Sequence, residues 1–359
     1  MSNYIEFHDT VAFHPGYYIK EIIDESGLTQ EDFAKRLNTT AKNISIILKG
    51  EQSLSVDIAM KLSRMTGTSI NYWLNLQNSY DTLRTEIELQ KDYEEEKRVF
   101  KFLDYRYFRD NYGLPDYPRK IDEQIKTLRS FLKIASLTVL LRKDLAVNFR
   151  NCSKGLDEAG TVRSNAMVQI AINHALLESA PKFDKHKFVR AANYALTLTN
   201  DHKGFYPLIK KAFCDAGVIL VIMPNISGSK TNGATKRIGK NIMLMVNDRR
   251  LNADTFWFTL FHEIGHIMNG DLGISFENDT GEKEKIADKY AEDNLIPSDS
   301  YKCFIDSGKF DYASIKRFAE QIDRDPGIIV GRLENDRYVE HNDWTLKPLR
   351  HQYKIQTGK

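Results

Sequence analysis

The chain begins with short amphipathic segments, which start at a polar residue and end at a glycine. Between residues 15 and 78, apolar residues recur every three or four positions, which is the spacing of one face of an α-helix. Thr29, Thr40 and Ser55 stand where a side-chain oxygen can cap the first turn of a helix. Gly27 and Gly67 stand where helices commonly end. The pattern predicts an all-α N-terminal domain of about five helices.

The middle of the chain carries a helical pattern with many charges. Residues 80–130 suit a long linker helix better than a coiled-coil arm, because their apolar positions do not keep a heptad repeat. Residues 121–203 also read as mostly helical. No function follows from this region, and a sensor or partner-binding role is the hypothesis we keep for it.

After residue 205 the pattern changes to strands followed by helices. The run "VILVIMP" predicts a buried strand, a Gly- and Asn-rich loop or hairpin follows, and "IMLMVND" predicts a second strand. "ADTFWFTLFHEIGHIMNG" then predicts a helix that ends at Gly270, and the acidic "EKEKIADKYAEDNLIP" predicts another. Strands with helices packed beside them indicate an α+β unit with a small sheet.

Composition excludes little. Of 359 residues, 42% are hydrophobic and 28% are charged, and the net charge of +2 is too small to indicate nucleic acid or membrane by itself. Three scattered cysteines without a CxxC pair favour buried thiols in a reducing compartment over a cysteine zinc site. The N-terminus lacks a signal-peptide pattern, and the most apolar run is far shorter than a membrane span. We expect a cytoplasmic protein without membrane association.

Candidate chemistry begins at "HEIGH". His262 and His266 are one helical turn apart, so both imidazoles can face one metal ion, and Glu263 beside them can take a proton from water. This is the HExxH pattern of zinc peptidases. A chance histidine pair is the alternative, but these residues lie on an apolar helix where unpartnered polar groups would be costly.

A catalytic zinc site needs a third protein ligand. Glu284 and Asp288 lie one turn apart on the following acidic helix, and we assign Glu284 as the third ligand and Asp288 as the acceptor that orients a histidine. Glu282 and Glu292 are alternative ligands, and spacing alone does not exclude Glu292.

Three ordered elements in this region resemble the ImmA/IrrE family of bacterial metallopeptidases. They are "IMLMVNDRR", "FTLFHEIGHIMNG" and "EKIADKYAEDNLIP", in which Tyr290 replaces a usual Phe and Asp288 stands where Asn is common. The resemblance covers about residues 205–300. It implies a zinc-dependent endopeptidase with Zn²⁺ as cofactor, and it favours Glu284 over Glu292.

Catalysis also needs a place for the substrate and a donor for the developing oxyanion. We expect a peptide to add to the edge of the strand "IMLMV". Asn247, Arg249 and a His or Tyr from the C-terminal part are candidate donors, although His341 reads as a surface histidine.

The N-terminal segment "LTQEDFAKRLNTTAKNISIILKG" has helix–turn–helix spacing. Ala34 is small where two helices would cross, and Ile44 and Ile47 can face inward. A helix with polar residues outward can enter a major groove, and Gln30 at a helix start can contact a phosphate. The candidate DNA-binding residues are Gln30, Thr40, Lys42, Asn43, Ser45 and Lys49.

The charge of the N-terminal segment does not favour DNA binding, because residues 1–78 carry seven basic and nine acidic side chains. Nonspecific DNA affinity should be weak, and a helical protein-interaction module is the alternative. The segment nevertheless resembles HigA-type antitoxins of the lambda-repressor-like superfamily, most distinctively in its ending "WLNLQNSYD", with Trp73, Gln77 and Asp81. That resemblance implies operator DNA as partner and a homodimer.

Both resemblances together describe a bacterial fusion of a HigA-like head with an ImmA/IrrE-like peptidase. The tail "FAEQIDRDPGIIVGRLENDRYV" also looks like the end of this fusion type. We expect a multi-domain, mainly α chain composed of an all-α helix–turn–helix head (1–80), a helical linker or partner domain (81–204), an α+β zincin-like peptidase core with a small sheet (205–300) and a helical C-terminal part (301–359).

The functional expectation is a DNA-binding transcriptional regulator that carries a zinc-dependent endopeptidase. Its substrate would be one specific protein partner, either a repressor or a toxin–antitoxin component. The alternative is an antitoxin or transcriptional repressor of a toxin–antitoxin module whose zinc site is structural or inactive.

Overall fold

Two compact units make up the chain, Met1–Glu95 and Glu96–Lys359. The structure is a computed structural model. It describes residues 3–142, 157–247, 252–276, 281–341 and 343–353. The boundary between the units falls inside one long helix, as does the boundary expected at residue 80. The division into four domains stays a prediction.

The N-terminal unit is a set of helices preceded by a β-hairpin. Its elements are β1 (Tyr4–Phe7), β2 (Thr10–Phe13), α1 (Pro15–Ser26), α2 (Gln30–Arg36), α3 (Ala41–Leu48), α4 (Val56–Thr66) and the first part of α5 (Ile70–Phe100). The helix ends follow the predicted caps: Thr29, Thr40 and Ser55 each accept a backbone N–H bond at a helix start. Gly27 and Gly67 adopt the left-handed conformation that closes α1 and α4.

The hairpin was not predicted, so the all-α description of the head is wrong. Ile5 and Phe7 pack, with Ala12, against Tyr80 and Ile87 of α5. The signal was weak because each strand has only four residues, which gives the alternation of period two little length. Helix–turn–helix packing itself agrees with the sequence, since Phe33, Ala34, Leu37, Ile44 and Ile47 form one buried cluster.

The C-terminal unit is also mainly helical. Its helices are α6 (Tyr105–Tyr112), α7 (Ile121–Leu132), α8 (Glu158–Ala175), α9 (Lys185–Leu196), α10 (Phe205–Asp215), α11 (Ala253–Asn269), α12 (Glu282–Leu295), α13 (Ser298–Asp306), α14 (Tyr312–Ile322) and α15 (Pro326–Asn335). Two short 3₁₀ helices span Leu137–Leu141 and Lys347–Leu349. The described part of the chain thus fits the mainly α expectation.

One mixed sheet lies in this unit. Its strands are β3 (Val218–Met223), β4 (Thr231–Ile238), β5 (Asn241–Asn247) and β6 (Ile274–Phe276), in the order β3-β5-β4-β6. β5 is parallel to β3 and antiparallel to β4, and β4 is antiparallel to β6. All seven residues of β5 are buried.

The expectation that a peptide adds to "IMLMV" is therefore wrong. That segment is β5, and its backbone is hydrogen-bonded to strands on both sides. The Gly- and Asn-rich stretch before it forms β4, which turns into β5 through Gly239 and Lys240. This added strand covers the side of β5 that the sequence had suggested was open.

α11 and α12 pack closely, and this packing positions the candidate metal residues. Trp257, Phe261 and Ile264 of α11 enter the core of the C-terminal unit, together with Leu244 of β5. Gly265 faces α12, where a Cβ would lie 3.1 Å from the Cα of Ala287. A side chain at 265 would push the helices apart, so a glycine inside the HExxH turn permits the close approach.

Two further expectations concern the surface. Cys303 is exposed and Cys214 is half-buried, so the prediction that the cysteines are buried is wrong for Cys303. Cys152 lies outside the described residues. Among the helices of the described ranges, none combines the length and the apolar character needed to cross a bilayer.

Candidate metal centre and helix–turn–helix

α11 carries the three residues of the HExxH motif into the protein interior. His262, Glu263 and His266 are all buried, and Glu263 and His266 have no exposed surface. The helix places them there because its other inward residues are large and apolar. Polar groups that are buried this deeply must have partners if the fold is to be stable.

Glu284 on α12 supplies a carboxylate at the same point. Glu284 Oε2 lies 3.0 Å from His262 Nε2 and 3.4 Å from His266 Nε2, and the two histidine Nε2 atoms are 3.0 Å apart. Glu284 is itself buried. Three potential ligand atoms from two helices therefore meet within a small triangle.

The outer nitrogens of both histidines face carboxylates. His262 Nδ1 lies 2.8 Å from Asp288 Oδ1, and His266 Nδ1 lies 3.4 Å from Asp271 Oδ1. A carboxylate only accepts hydrogen bonds, so each Nδ1 is the protonated donor and each Nε2 keeps its lone pair. In this tautomer three acceptors face one another, and either a proton or a metal ion between them would remove the repulsion.

A proton can take that place in the metal-free chain. Burial lowers the pKa of His262, but hydrogen bonds to Asp288 and Glu284 outweigh burial and raise the pKa to about 10. Burial raises the pKa of Glu284, while its bonds to His262 and His266 outweigh this and hold the pKa well below its ordinary value. A metal ion that binds here must displace that proton.

The donor set and its spacing fit zinc. Zinc takes imidazole and carboxylate ligands at about 2.0–2.2 Å in tetrahedral geometry, which places neighbouring ligand atoms roughly 3.3 Å apart. The observed separations of 3.0, 3.0 and 3.4 Å are close to that value. Three protein ligands would leave one coordination position for another molecule, as in catalytic zinc sites.

Glu263 is buried close enough to His262 to act on it electrostatically, but it does not join this triangle. Neither of its carboxylate oxygens has a hydrogen-bond partner among the described residues. Gly233 of β4 is directly against it, and a Cβ at Gly233 would lie 2.6 Å from Glu263 Oε1. A buried carboxylate beside the histidines and without a protein partner is available to bind water or substrate.

The other acids and donors named from the sequence lie elsewhere. Glu282 is exposed at the first residue of α12, and Glu292 forms an ion pair with Arg332 at 2.8 Å. The side-chain amide of Asn247 donates to Thr231 O at 2.6 Å, and Arg249 lies outside the described residues. The side chain of His341 is 75% exposed and lies beside Glu334, as expected of a surface histidine.

Sequence reasoning missed two residues of this site. Asp271 follows the helix-ending Gly270 and reaches back to His266. Gly233 lies in β4, within the stretch for which the sequence predicts a loop or hairpin. The sequence could have indicated Asp271, because a residue just beyond a helix end lies near the last turn of that helix. The contact of Gly233 depends on the order of the strands in the sheet.

In the N-terminal unit, the six candidate DNA-binding residues differ in exposure. Thr40, Lys42 and Lys49 are exposed, while Gln30, Asn43 and Ser45 are half-buried. The Gln30 side chain donates to Ala41 O at 3.2 Å, and Asn43 donates to Thr39 Oγ1 at 3.0 Å. Gln30 thus ties α2 to the start of α3. It has this structural role in addition to the phosphate contact expected from the sequence.

Comparison with known proteins identifies this unit. Residues 19–73 match the Helix-turn-helix family model. Over 72 residues, the chain is 35% identical to the HTH-type transcriptional regulator YddM of Escherichia coli (strain K12), a match that spans 20% of this chain and 77% of that protein. The chain belongs to the helix-turn-helix family.

Two other proteins are similar over the same part of the chain. Virulence-associated protein I of Dichelobacter nodosus is 31% identical over 80 residues, which is 22% of this chain and 74% of that protein. A solved structure of an addiction module antidote protein of a HigA family from Coxiella burnetii is 28% identical, covers 24% of this chain and 92% of that chain, and gives a TM-score of 0.21. The family assignment rests on the sequence matches and concerns about one fifth of the chain.

The residues that resembled HigA proteins support the packing of the helix-turn-helix unit. Trp73 is buried and its indole N–H donates to Thr68 Oγ1 at 2.8 Å. Gln77 Oε1 accepts from Leu54 N at 2.8 Å, and its amide donates to Asp81 at 2.9 Å. These bonds tie the loop before α4 to α5, which explains why this ending accompanies the fold.

Proposed function

We propose that this helix-turn-helix protein is a DNA-binding transcriptional regulator whose C-terminal unit is a zinc-dependent endopeptidase for one specific protein partner. That partner would be a repressor or a toxin–antitoxin component. The observation that carries the proposal is the convergence of His262, His266 and Glu284 beside the unpartnered Glu263.

In this proposal, His262, His266 and Glu284 hold the zinc ion, and Asp288 and Asp271 keep the two imidazoles oriented through their Nδ1–H groups. When bound, zinc acts as a Lewis acid that polarises a carbonyl and lowers the pKa of water. Glu263 accepts a proton from water as the water oxygen attacks the scissile carbonyl carbon. Glu263 then passes the proton to the departing amine as the peptide C–N bond breaks.

The sheet offers a place for an extended substrate. Gly233, which touches Glu263, pairs with Ser275 of β6, and β6 is the end of the sheet on that side among the described strands. A substrate segment that adds a strand at β6 would lie on the side of the sheet nearest Glu263. This replaces the edge at β5 that the sequence had suggested.

For the head, α3 is the element that would enter a major groove. Lys42 lies on it, Thr40 precedes it and Lys49 follows it, and all three are exposed. With seven basic and nine acidic residues in 1–78, affinity would come from specific contacts more than from overall charge. From the HigA resemblance we infer that the head binds its operator as a dimer.

A second candidate function has its own supporting observation. Both histidines, Glu263 and Glu284 are buried, so a peptide has no direct access to them in this arrangement. That favours a regulator or antitoxin in which zinc stabilises the C-terminal unit and cleaves nothing. In this case Glu263 would have no part in the function.

New protein N-termini in cells distinguish the two candidates. Cells that produce the wild-type chain are compared with cells that produce Glu263→Gln, and newly formed N-termini are identified by mass spectrometry. We expect one or a few cleavage products with wild type and none with Glu263→Gln, while both proteins retain zinc. The reason is that glutamine cannot accept the proton from water.

Glu282→Gln is the matched control. It makes the same change at an exposed residue of α12 and should leave both cleavage and zinc content unchanged. If wild type and Glu263→Gln produce identical sets of N-termini under conditions where both bind zinc, the endopeptidase proposal is wrong and the regulator with a structural zinc site is favoured.

A further inference from the structure

A second cluster of ligand-type side chains lies in the C-terminal unit, apart from the HExxH residues. His202 precedes α10, Asp325 is the N-cap of α15, and His351 belongs to the C-terminal segment. One ligand atom from each lies within 4.8 Å of the others. His202 Nε2 is 3.2 Å from Asp325 Oδ2. Three parts of the chain that are distant in sequence thus bring two imidazoles and a carboxylate together.

Asp325 is the residue that points to a ligand. It is completely buried, and its Oδ1 accepts the Gly327 N–H at 2.8 Å as the cap of α15. Its Oδ2 faces His202 without the geometry of a hydrogen bond, and no other described residue bonds to it. A buried carboxylate oxygen without a full partner is costly, and a cation relieves that cost.

The arrangement of the two histidine rings suits neutral imidazoles better than a pair of charged ones. Their rings are stacked, with centroids 3.6 Å apart and planes 8° from parallel, and two charged imidazoles would repel at this distance. His202 Nδ1 faces the Tyr353 hydroxyl at 3.2 Å, so Nε2 is the nitrogen turned towards Asp325.

Surrounding charge also favours a cation. The negative charge of Asp201 acts on His202, and the negative charge of Asp254 acts on Asp325. The nearby Arg350 already forms ion pairs with Asp254 and with Glu334.

We propose that His202, Asp325 and His351 form a second divalent-cation site, with the imidazole and carboxylate ligands that zinc and related transition metals prefer. In parallel rings the nitrogen lone pairs also run parallel, so His351 must rotate about its side-chain bonds to direct a nitrogen at the same ion. His351 is exposed and can do so.

Such an ion would fasten the C-terminal segment to the start of the helix that carries the HExxH motif. Ala253 N, at the start of α11, donates to His351 O at 2.8 Å, and the Trp257 indole donates to the Tyr353 hydroxyl at 3.1 Å. The role is structural: ligands from α15, from the turn before α10 and from the C-terminal segment would be joined by one ion.

Zinc stoichiometry of the full-length chain tests this site. Each protein is stripped with a chelator and dialysed against buffered zinc, and bound zinc is counted by mass spectrometry. We expect about two zinc ions in wild type, about one in His351→Gln or Asp325→Asn, and about two in His341→Gln. His341→Gln is the matched control because it changes an exposed histidine outside both clusters.

The variant His266→Gln distinguishes zinc bound at the HExxH site from zinc bound at the new site. This variant should lose one zinc and keep the other, and zinc should raise its melting temperature, whereas the His266→Gln/His351→Gln double variant should show neither effect. Asp325→Asn retains an oxygen that can cap α15, so it remains informative if His351→Gln folds poorly.

If His351→Gln and Asp325→Asn bind as much zinc as wild type, the second site is rejected, whatever happens at the HExxH residues. If wild type binds only one zinc, which His266→Gln keeps and His351→Gln loses, the second site is supported and the zinc of the proposed peptidase is rejected.

Discussion

Gly16 shows how a single residue sets the packing of the helix-turn-helix unit. A Cβ at this position would lie 2.1 Å from the backbone oxygen of Ile47 on α3, much closer than a carbon can approach an oxygen to which it is not bonded. Alanine favours a helix interior by about 1 kcal/mol over glycine, so helix propensity alone would predict stabilisation. The contact is with backbone, which cannot rotate away, and the steric effect should therefore decide the sign.

We expect Gly16→Ala to destabilise the N-terminal unit by about 1–3 kcal/mol, as overpacking in a well-packed core does. Hydrogen–deuterium exchange of the full chain should show faster exchange in α1 and α3. Lys20→Ala is the control, since it puts alanine on an exposed position of the same helix. Equal protection of α1 and α3 in the two variants would show that α1 can shift without cost.

At the scale of elements, α3 carries the expected sequence recognition. We expect Lys42→Ala to weaken binding to an operator selected from random DNA by about 1–3 kcal/mol if Lys42 contacts a base, and to relax the preference at one base position. Fluorescence anisotropy with the selected DNA and with single-base variants measures both effects.

Lys20→Ala serves as the control here as well, because it removes the same charge from α1. If Lys42→Ala lowers affinity equally for every sequence, then Lys42 contacts phosphate and the readout lies elsewhere on the head. If the affinity and the base preference are both unchanged, α3 is not the DNA-recognition helix that the sequence suggested.

Local signals made the helices predictable and the strands less so. Thr29, Thr40 and Ser55 each act on the turn that follows them, so the chemistry of a cap is complete within a few residues. β4 contains glycine, asparagine and lysine, and its strand conformation comes from pairing with β5 and β6. The position of β5 inside the sheet depended on that pairing and was therefore wrong in the sequence interpretation.

The same distinction holds for the candidate metal centre. The spacing of His262 and His266 determines that they share a helix face, and α12 brings Glu284 to them as the sequence proposed. The contact of Gly233 with Glu263 and the cluster of His202, Asp325 and His351 each join distant segments. No periodicity connects those positions along the chain, so these contacts are visible only in the folded structure and could not be predicted from the sequence.

For the whole molecule, the two units carry different parts of the proposed function. The helix-turn-helix residues and their core lie within Met1–Glu95, and both candidate metal sites lie within Glu96–Lys359. Each unit has its own buried cluster of apolar residues. A ligand that binds one unit should therefore change the stability of that unit first.

Zinc removal tests this division. A ligand at a hundred times its dissociation constant stabilises the folded state by about 2.7 kcal/mol, so chelation should raise exchange up to about 100-fold in α11 and α12, where the HExxH ligands lie. Exchange in α1–α4 should stay the same, because the core of that unit includes no metal ligand. The measurement is hydrogen–deuterium exchange of the full chain with zinc and after chelation. The His266→Gln/His351→Gln double variant is the control, in which the α11 and α12 response to chelation should largely disappear. A comparable rise in α1–α4 would show instead that the metal state of the C-terminal unit is transmitted to the DNA-binding helices, and the regulator would then sense zinc.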